Sequence, residues 1–283
     1  MAAHNITSMA LFCDFENIAL GVRDAQYAKF DIDRVLERLL LKGSIVVKKA
    51  YCDWDRYKDF KKPMHEASFE LIEIPHVKIS GKNSADIRLV VDALDLCYTK
   101  AHVDTFVIIS GDSDFSPLVS KLRENNKTVI GVGVKSSTSD LLIANCDEFI
   151  YYDDLVRQEE KKRHQRARRK QPATTKQAAS TAGAETPKAA KLETTEEDRK
   201  QQAFDLVVDT IDALAEERDR DEKIWGSMVK QTLKRRNPGF NESYFGFRTF
   251  SDLLEEAQQR KLLSLEADQK SGGYIVRRGP RTE

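Results

Sequence analysis

Between Met9 and Tyr152 the chain carries six short apolar runs, rich in Val and Ile: 9–15, 45–51, 71–75, 105–110, 128–134 and 148–152. Several are continuously apolar rather than alternating, the pattern of strands covered on both faces. The intervening segments 31–42, 56–69, 84–100, 114–125 and 139–145 place apolar residues at helical spacing. Strand–helix alternation of this kind favours a parallel sheet with helices on both faces, because successive parallel strands need long crossovers. In 84–100, the longest helical segment, Leu89, Val90, Val91, Leu94 and Leu96 leave little polar circumference, so this helix is expected to pack deeply.

The character changes at Arg157. Residues 157–170 hold eight Lys/Arg against two Glu and no apolar face. The Ala/Thr/Lys/Pro-rich stretch that follows has too little to bury to fold by itself. Apolar helical spacing resumes with Phe204, Val207, Val208, Ile211 and Leu214. A second helix is expected over 224–235, with Trp225, Met228, Val229 and Leu233 inward, and a third over 250–259. A two-stranded ribbon follows, 262–265 with 274–277 across Gly272-Gly273. The expected organisation is an α/β domain at 1–156, a flexible basic linker at 157–197 and a small winged-helix α+β domain at 198–283. The zero net charge, 46 basic against 46 acidic residues, is therefore a sum of unlike segments.

No apolar run approaches the ~18–20 residues of a membrane span. The first nine residues lack the basic and apolar regions of a secretory signal. Cys13, Cys52, Cys97 and Cys146 form no C-x-x-C pair, and buried free thiols in a reducing compartment are the plain expectation. A cytoplasmic protein without membrane contact follows.

Ligands of open parallel sheets bind beyond the carboxyl ends of the strands. There the first strand ends Asp14-Phe-Glu-Asn17, the fourth ends Ser110-Gly-Asp112-Ser-Asp114-Phe, and Asp86 opens the long central helix. Asp14, Asp86, Asp112 and Asp114 gathered together would repel unless something positive neutralised them, and oxygen-only donors select the hard cations Mg²⁺ or Mn²⁺. Such an ion lowers the pKa of a bound water and stabilises a leaving oxygen at phosphorus. Asp86 or Asp114 taken singly could instead be a helix cap. Asp92 lies about 120° round the helix from Asp86, as a supporting group or a paired buried charge, and Glu16 reads as structural.

These residues resemble a known family. Asp14-Phe-Glu-Asn17, Lys82-x-x-x-Asp86 leading into Leu-Val-Val-Asp92, and Ser110-Gly-Asp112-Ser-Asp114-Phe are similar to the NYN domain, a branch of the PIN-like ribonuclease superfamily with a Rossmannoid sheet. The later stretches 129–134, 139–142 and 145–149 are similar to that family's closing segment. The resemblance implies a metal-dependent phosphodiesterase acting on RNA, single-stranded or structured. Asp14, Asp86, Asp112 and Asp114 would then be metal-site carboxylates, with Asn17 positioning substrate or a metal-bound water. The C-terminal segments Trp225-Gly-Ser-Met-Val-Lys, Asn237-Pro-Gly-Phe240 and Tyr244-Phe-Gly-Phe-Arg248 resemble the OST-HTH (LOTUS) winged-helix family, which implies RNA binding or docking of a protein partner.

Under that reading Lys78, Lys82, Lys121, Arg123 and Lys135 are candidates to hold flanking phosphates, and Lys234, Arg235, Arg236 and Arg248 to contact RNA from the second domain. Lys161–Lys170 would add a mobile polyanion contact. Trp54, Tyr57 and Phe60 are aromatics able to stack on bases, with core packing the competing role. The alternative to a nuclease is a non-catalytic RNA-binding adaptor with a vestigial acidic pocket. A haloacid-dehalogenase phosphatase is disfavoured because Asp14 is followed by Phe15-Glu16-Asn17, without a second Asp two residues on. A receiver domain is disfavoured because acids stand where it needs a small hydroxyl residue.

Overall fold

The computed structural model describes residues 7–74, 84–160, 188–217, 223–268 and 273–279, with backbone only for 188–196. The chain divides into two compact units, Met1–Arg157 and Gln158–Glu283.

In the first unit the strands are β1 (Ser8–Asp14), β2 (Ser44–Cys52), β3 (Glu70–Glu73), β4 (Thr105–Ile109), β5 (Thr128–Gly133) and β6 (Glu148–Tyr151). They form one sheet in the order β3-β2-β1-β4-β5-β6, with every neighbouring pair parallel. β1 is central and buried almost throughout. Its alternate side chains enter two separate cores, Met9, Leu11 and Cys13 on one face and Ala10 and Phe12 on the other. That two-sided burial is why the strand reads as one continuous apolar run.

The first core is roofed by α1 (Phe15–Asp24), α2 (Ile32–Leu40) and α3 (Lys58–Glu66), the second by α4 (Ser84–Thr99), α5 (Ser116–Glu124) and α6 (Asp140–Asn145). Apolar spacing alone missed α1. The run 9–15 looks like strand to its end, but the Asp14 carboxylate accepts the Asn17 backbone N–H at 3.3 Å and starts a helix at Phe15. Phe15 then anchors an aromatic cluster, with ring centroids 5.0 Å from Trp54, 5.6 Å from Tyr57 and 5.0 Å from Phe60. Trp54 is buried and its indole N–H donates to the Ile72 carbonyl. Trp54 is therefore a core residue, and Tyr57 and Phe60 pack against that core while staying partly exposed.

The depth expected of the central helix is corrected too. Leu89, Ala93 and Cys97 of α4 face the core, whereas Ile87, Val91 and Tyr98 are 63%, 55% and 65% exposed. One stripe packs on the sheet; the apolar residues outside it face solvent because β1, β2 and α5 touch the helix from one side.

The second unit contains α7 (Lys188–Glu216), α8 (Gly226–Arg236) and α9 (Phe250–Gln259), then the antiparallel ribbon β7 (Leu263–Ala267) and β8 (Tyr274–Arg278). Its core joins Phe204, Val207, Ile211, Val229, Leu233, Phe240, Phe247 and Leu253. Trp225 bridges to Ile275 at the ribbon, and Thr249 with Asp252 forms a reciprocal capping box at the start of α9. Most of the expected linker, 161–187, lies outside the described residues, as do Lys78, Lys82 and Gly272.

Candidate functional site

The strand order reverses direction between β1 and β4, and their carboxyl ends deliver the site. Asp14 is the last residue of β1 and is buried. Its second carboxylate oxygen accepts the Ser110 hydroxyl at 3.0 Å. Ser110 ends the run of β4 and is fully buried; its oxygen also accepts the Asp112 backbone N–H at 3.2 Å. Asp112 in turn caps the 3₁₀ turn Ser113–Phe115 by accepting the Asp114 N–H at 2.9 Å. Asn17, one turn into α1, accepts the Gly111 N–H through its side-chain oxygen at 2.8 Å. That bond fixes which way the amide points and leaves its N–H₂ as the donor end.

Gly111 is needed by close approach: a Cβ there would stand 2.6 Å from the Ser137 carbonyl oxygen and 3.0 Å from the Thr138 Cα. Ser110 and Gly111 were not singled out among the site residues, although their place inside the Ser-Gly-Asp-Ser-Asp motif was the available signal.

Asp86 lies in the first turn of α4, at the same edge of the sheet. Burial and the charge of Asp86 push the Asp14 carboxyl up to about 7, against the pull of hydrogen bonds from Asn17 and Ser110. Burial, then Asp112 and Asp114, push Asp86 up to about 6. All four carboxylates thus share one electrostatic neighbourhood, and among the described residues none is in an ion pair with Lys or Arg. Their donors are oxygens only, a set that fits a hard divalent cation. Among the described residues, no three acidic, His or Cys side chains are closed onto a common point as a ready metal cage.

Asp92 belongs elsewhere. It accepts from the Tyr51 hydroxyl at 2.9 Å, Lys49 at 3.3 Å and Arg88 at 3.0 Å, and these partners hold its pKa down against burial. It is the paired charge that ties α4 to β2. Glu16 pairs with Arg56 at 3.1 Å on a partly exposed surface, and its charge also bears on Asp86.

The basic candidates separate by edge. Lys135 follows β5 at the carboxyl end, its backbone N–H bonded to Asp153 and its ammonium 5.9 Å from the Tyr151 ring centroid. Lys121 and Arg123 sit in the last turn of α5, which runs back to the opposite edge. Lys121 pairs with Glu124, and Arg123 pairs with Asp147 at 3.2 Å and donates to the Asn145 carbonyl at 2.9 Å. The helix runs away from the carboxyl edge, so both stand at its end farther from Asp14. Lys234, Arg235 and Arg236 form the last turn of α8, where cations suit the helix dipole; Arg248 is exposed before α9.

A parallel α/β sheet with carboxylates gathered at its central switch point defines a PIN-like domain. Residues 8–153 match the NYN domain, and the chain belongs to that family, whose PIN-like members are generally nucleases that use divalent metals. Among curated proteins, the chain is 26% identical over 152 residues to meiosis regulator and mRNA stability factor 1 of Xenopus tropicalis, covering 54% of this chain and 9% of that protein. It is 29% identical over 112 residues to an uncharacterized protein of Methanocaldococcus jannaschii, covering 40% of this chain and 43% of that one. The chain therefore spans less than half the length of these relatives. A crystal structure of a protein of unknown function from Vibrio parahaemolyticus is 27% identical, with a TM-score of 0.49, over 55% of this chain and 98% of that one. No described helix is long and apolar enough to cross a membrane.

Proposed function

We propose that this chain is an Mg²⁺- or Mn²⁺-dependent endoribonuclease that hydrolyses RNA phosphodiester bonds at the acidic mouth of the NYN domain. The carrying observation is the convergence of Asp14, Asp86 and Asp112 with Asp114 from three separate connections, close enough that burial and mutual repulsion raise two of their pKa values. Membership of the NYN family and the name of the amphibian relative, an mRNA stability factor, support RNA over DNA.

Asp14, Asp86, Asp112 and Asp114 would hold the cation, which when bound supplies an activated water and stabilises charge on phosphate oxygens. Ser110 holds Asp14 and the Asp112 backbone in register, so the two carboxylates move as one unit. With its oxygen held by the Gly111 N–H, the N–H₂ of Asn17 would donate to a phosphate oxygen, and Lys135 would attract the flanking strand. Lys78, Lys82 and the basic linker are proposed to add phosphate contacts. The second unit, three helices and a ribbon in the manner of an OST-HTH (LOTUS) domain, would present Lys234, Arg235, Arg236 and Arg248 to RNA or dock a protein. Its tether raises local concentration on a common strand.

The test is cleavage of end-labelled single-stranded and hairpin RNA with Mn²⁺, Mg²⁺ or EDTA, beside Asp14→Asn and Asp112→Asn. Metal-dependent cutting lost in both variants is expected; cutting in EDTA, or undiminished in the variants, refutes the assignment. The second reading is RNA binding without cleavage at a vestigial acidic pocket, and binding without cutting would establish it.

A further inference from the structure

Beside the acidic mouth, an open pocket of about 470 Å³ is lined by Ser113, Asp114, Ser116, Pro117, Ser120 and Leu141, between the start of α5 and α6. The Ser116 hydroxyl in its wall is buried with no hydrogen-bond partner, an unusual state for a polar group, each of which is ordinarily satisfied. Leu141 is 58% exposed, an apolar side chain standing next to a strongly acidic region. Pro117 removes a backbone donor and adds a second apolar wall at the helix start. Asp114 is shared between this pocket and the carboxylate cluster, so whatever fills the pocket adjoins whatever binds Asp86.

Size and lining argue against a second phosphate: an anion beside Asp114 is repelled, and no Lys or Arg lines the pocket. A planar ring with an apolar face and a polar edge suits it. We propose that this pocket is a nucleobase subsite for the nucleotide next to the scissile phosphate, an inference that rests on the nuclease reading. Pro117 and Leu141 take the face of the base, while Asp114 and the exposed Ser120 meet its edge. A purine offers the larger face to Pro117 and Leu141, so the subsite favours adenine over uracil.

The experiment measures fluorescence anisotropy of labelled hexaribonucleotides (A₆, C₆ and U₆) with the full chain in EDTA, where binding is read without cleavage. Ser120→Trp fills the pocket and Leu141→Gln removes its apolar wall; both positions are exposed, and thermal unfolding checks that each variant folds. Wild type should bind A₆ several-fold more tightly than C₆ or U₆. Both variants should lose roughly five- to a hundredfold on A₆, the scale of one lost base stack. Equal affinity for U₆ and A₆, unchanged binding in both folded variants, or no binding by wild type overturns the subsite. Metal-dependent cleavage with no pocket dependence would sink the subsite alone. Pocket-dependent binding without cleavage in Mn²⁺ would sink the nuclease reading and keep the subsite.

Discussion

Replacing Asp14 by Asn should stabilise the metal-free protein above neutral pH while abolishing any metal-dependent activity. The Asp14 carboxyl is 6% exposed, beside Asp86 and Asp112, and its pKa stands at about 7 against an ordinary 3.8. A raised carboxyl pKa means the folded state holds its proton more tightly than the unfolded state does. Stability from this group is therefore intact below pH 3.8, falls by about 1.4 kcal/mol per pH unit between 3.8 and 7, and is level above. Between pH 5 and 8 the loss is on the order of 3 kcal/mol, equivalent to several degrees in Tm for a domain of this size. Asp86, pushed up to about 6, adds a slope of the same sign. An asparagine keeps an oxygen for the Asn17 N–H and, turned suitably, an amide for the Ser110 oxygen, so the neutral variant escapes the slope. Urea unfolding in EDTA from pH 5 to 8.5 should show wild type and variant diverging as pH rises, with the variant ahead at pH 8. Adding Mn²⁺ should raise wild type and leave the variant nearly unmoved, because a cation that binds only the folded state stabilises it. Parallel pH curves, or wild type ahead at pH 8 without metal, would refute the account of a repulsive, cation-seeking cluster.

Gly111→Ala forces a backbone shift against Ser137 and Thr138; a loss of about 1–3 kcal/mol in urea unfolding is expected, together with loss of cleavage, and a neutral effect would contradict the close packing. Trp54→Ala removes a side chain 1% exposed from the Phe15 cluster and should cost about 3–5 kcal/mol in thermal unfolding, against under 1 kcal/mol if the indole were a surface stacking group. Arg123→Ala breaks a half-exposed pair with Asp147 and should cost no more than about 1 kcal/mol, with the KM for RNA unchanged; a raised KM would return it to the substrate path.

All six strands of the first unit are visible as apolar runs, most clearly β1, β4 and β5, which are covered on both faces, whereas β2 and β3 keep charged and partly exposed positions. Their neighbours are not: nothing in Leu71-Ile72 says that β3 is an edge, since pairing is settled by crossovers far away in sequence. The α4 face was misjudged because hydrophobicity marks which residues avoid water, not which side a partner comes from; Ile87 and Leu89 look alike in a string. The acidic residues were legible by position after strands, although Asp14 and Asp112 also cap the turns that follow them. Ser110 was not, because a serine ending a buried strand looks like any small residue until its two hydrogen bonds are drawn. The position of Lys121 and Arg123 was not legible either: a helix following a strand carries its last turn back toward the far edge of the sheet.

The pairing of β1 with β4 aligns Met9 with Thr105 and Cys13 with Ile109, so the two strand ends that carry the carboxylates meet only after nearly a hundred residues have been threaded between them. Closing so long a loop is a late and slow event in folding. A ribosome-bound chain halted before β4 therefore has Asp14 without Asp112, and the carboxylate cluster is not yet assembled.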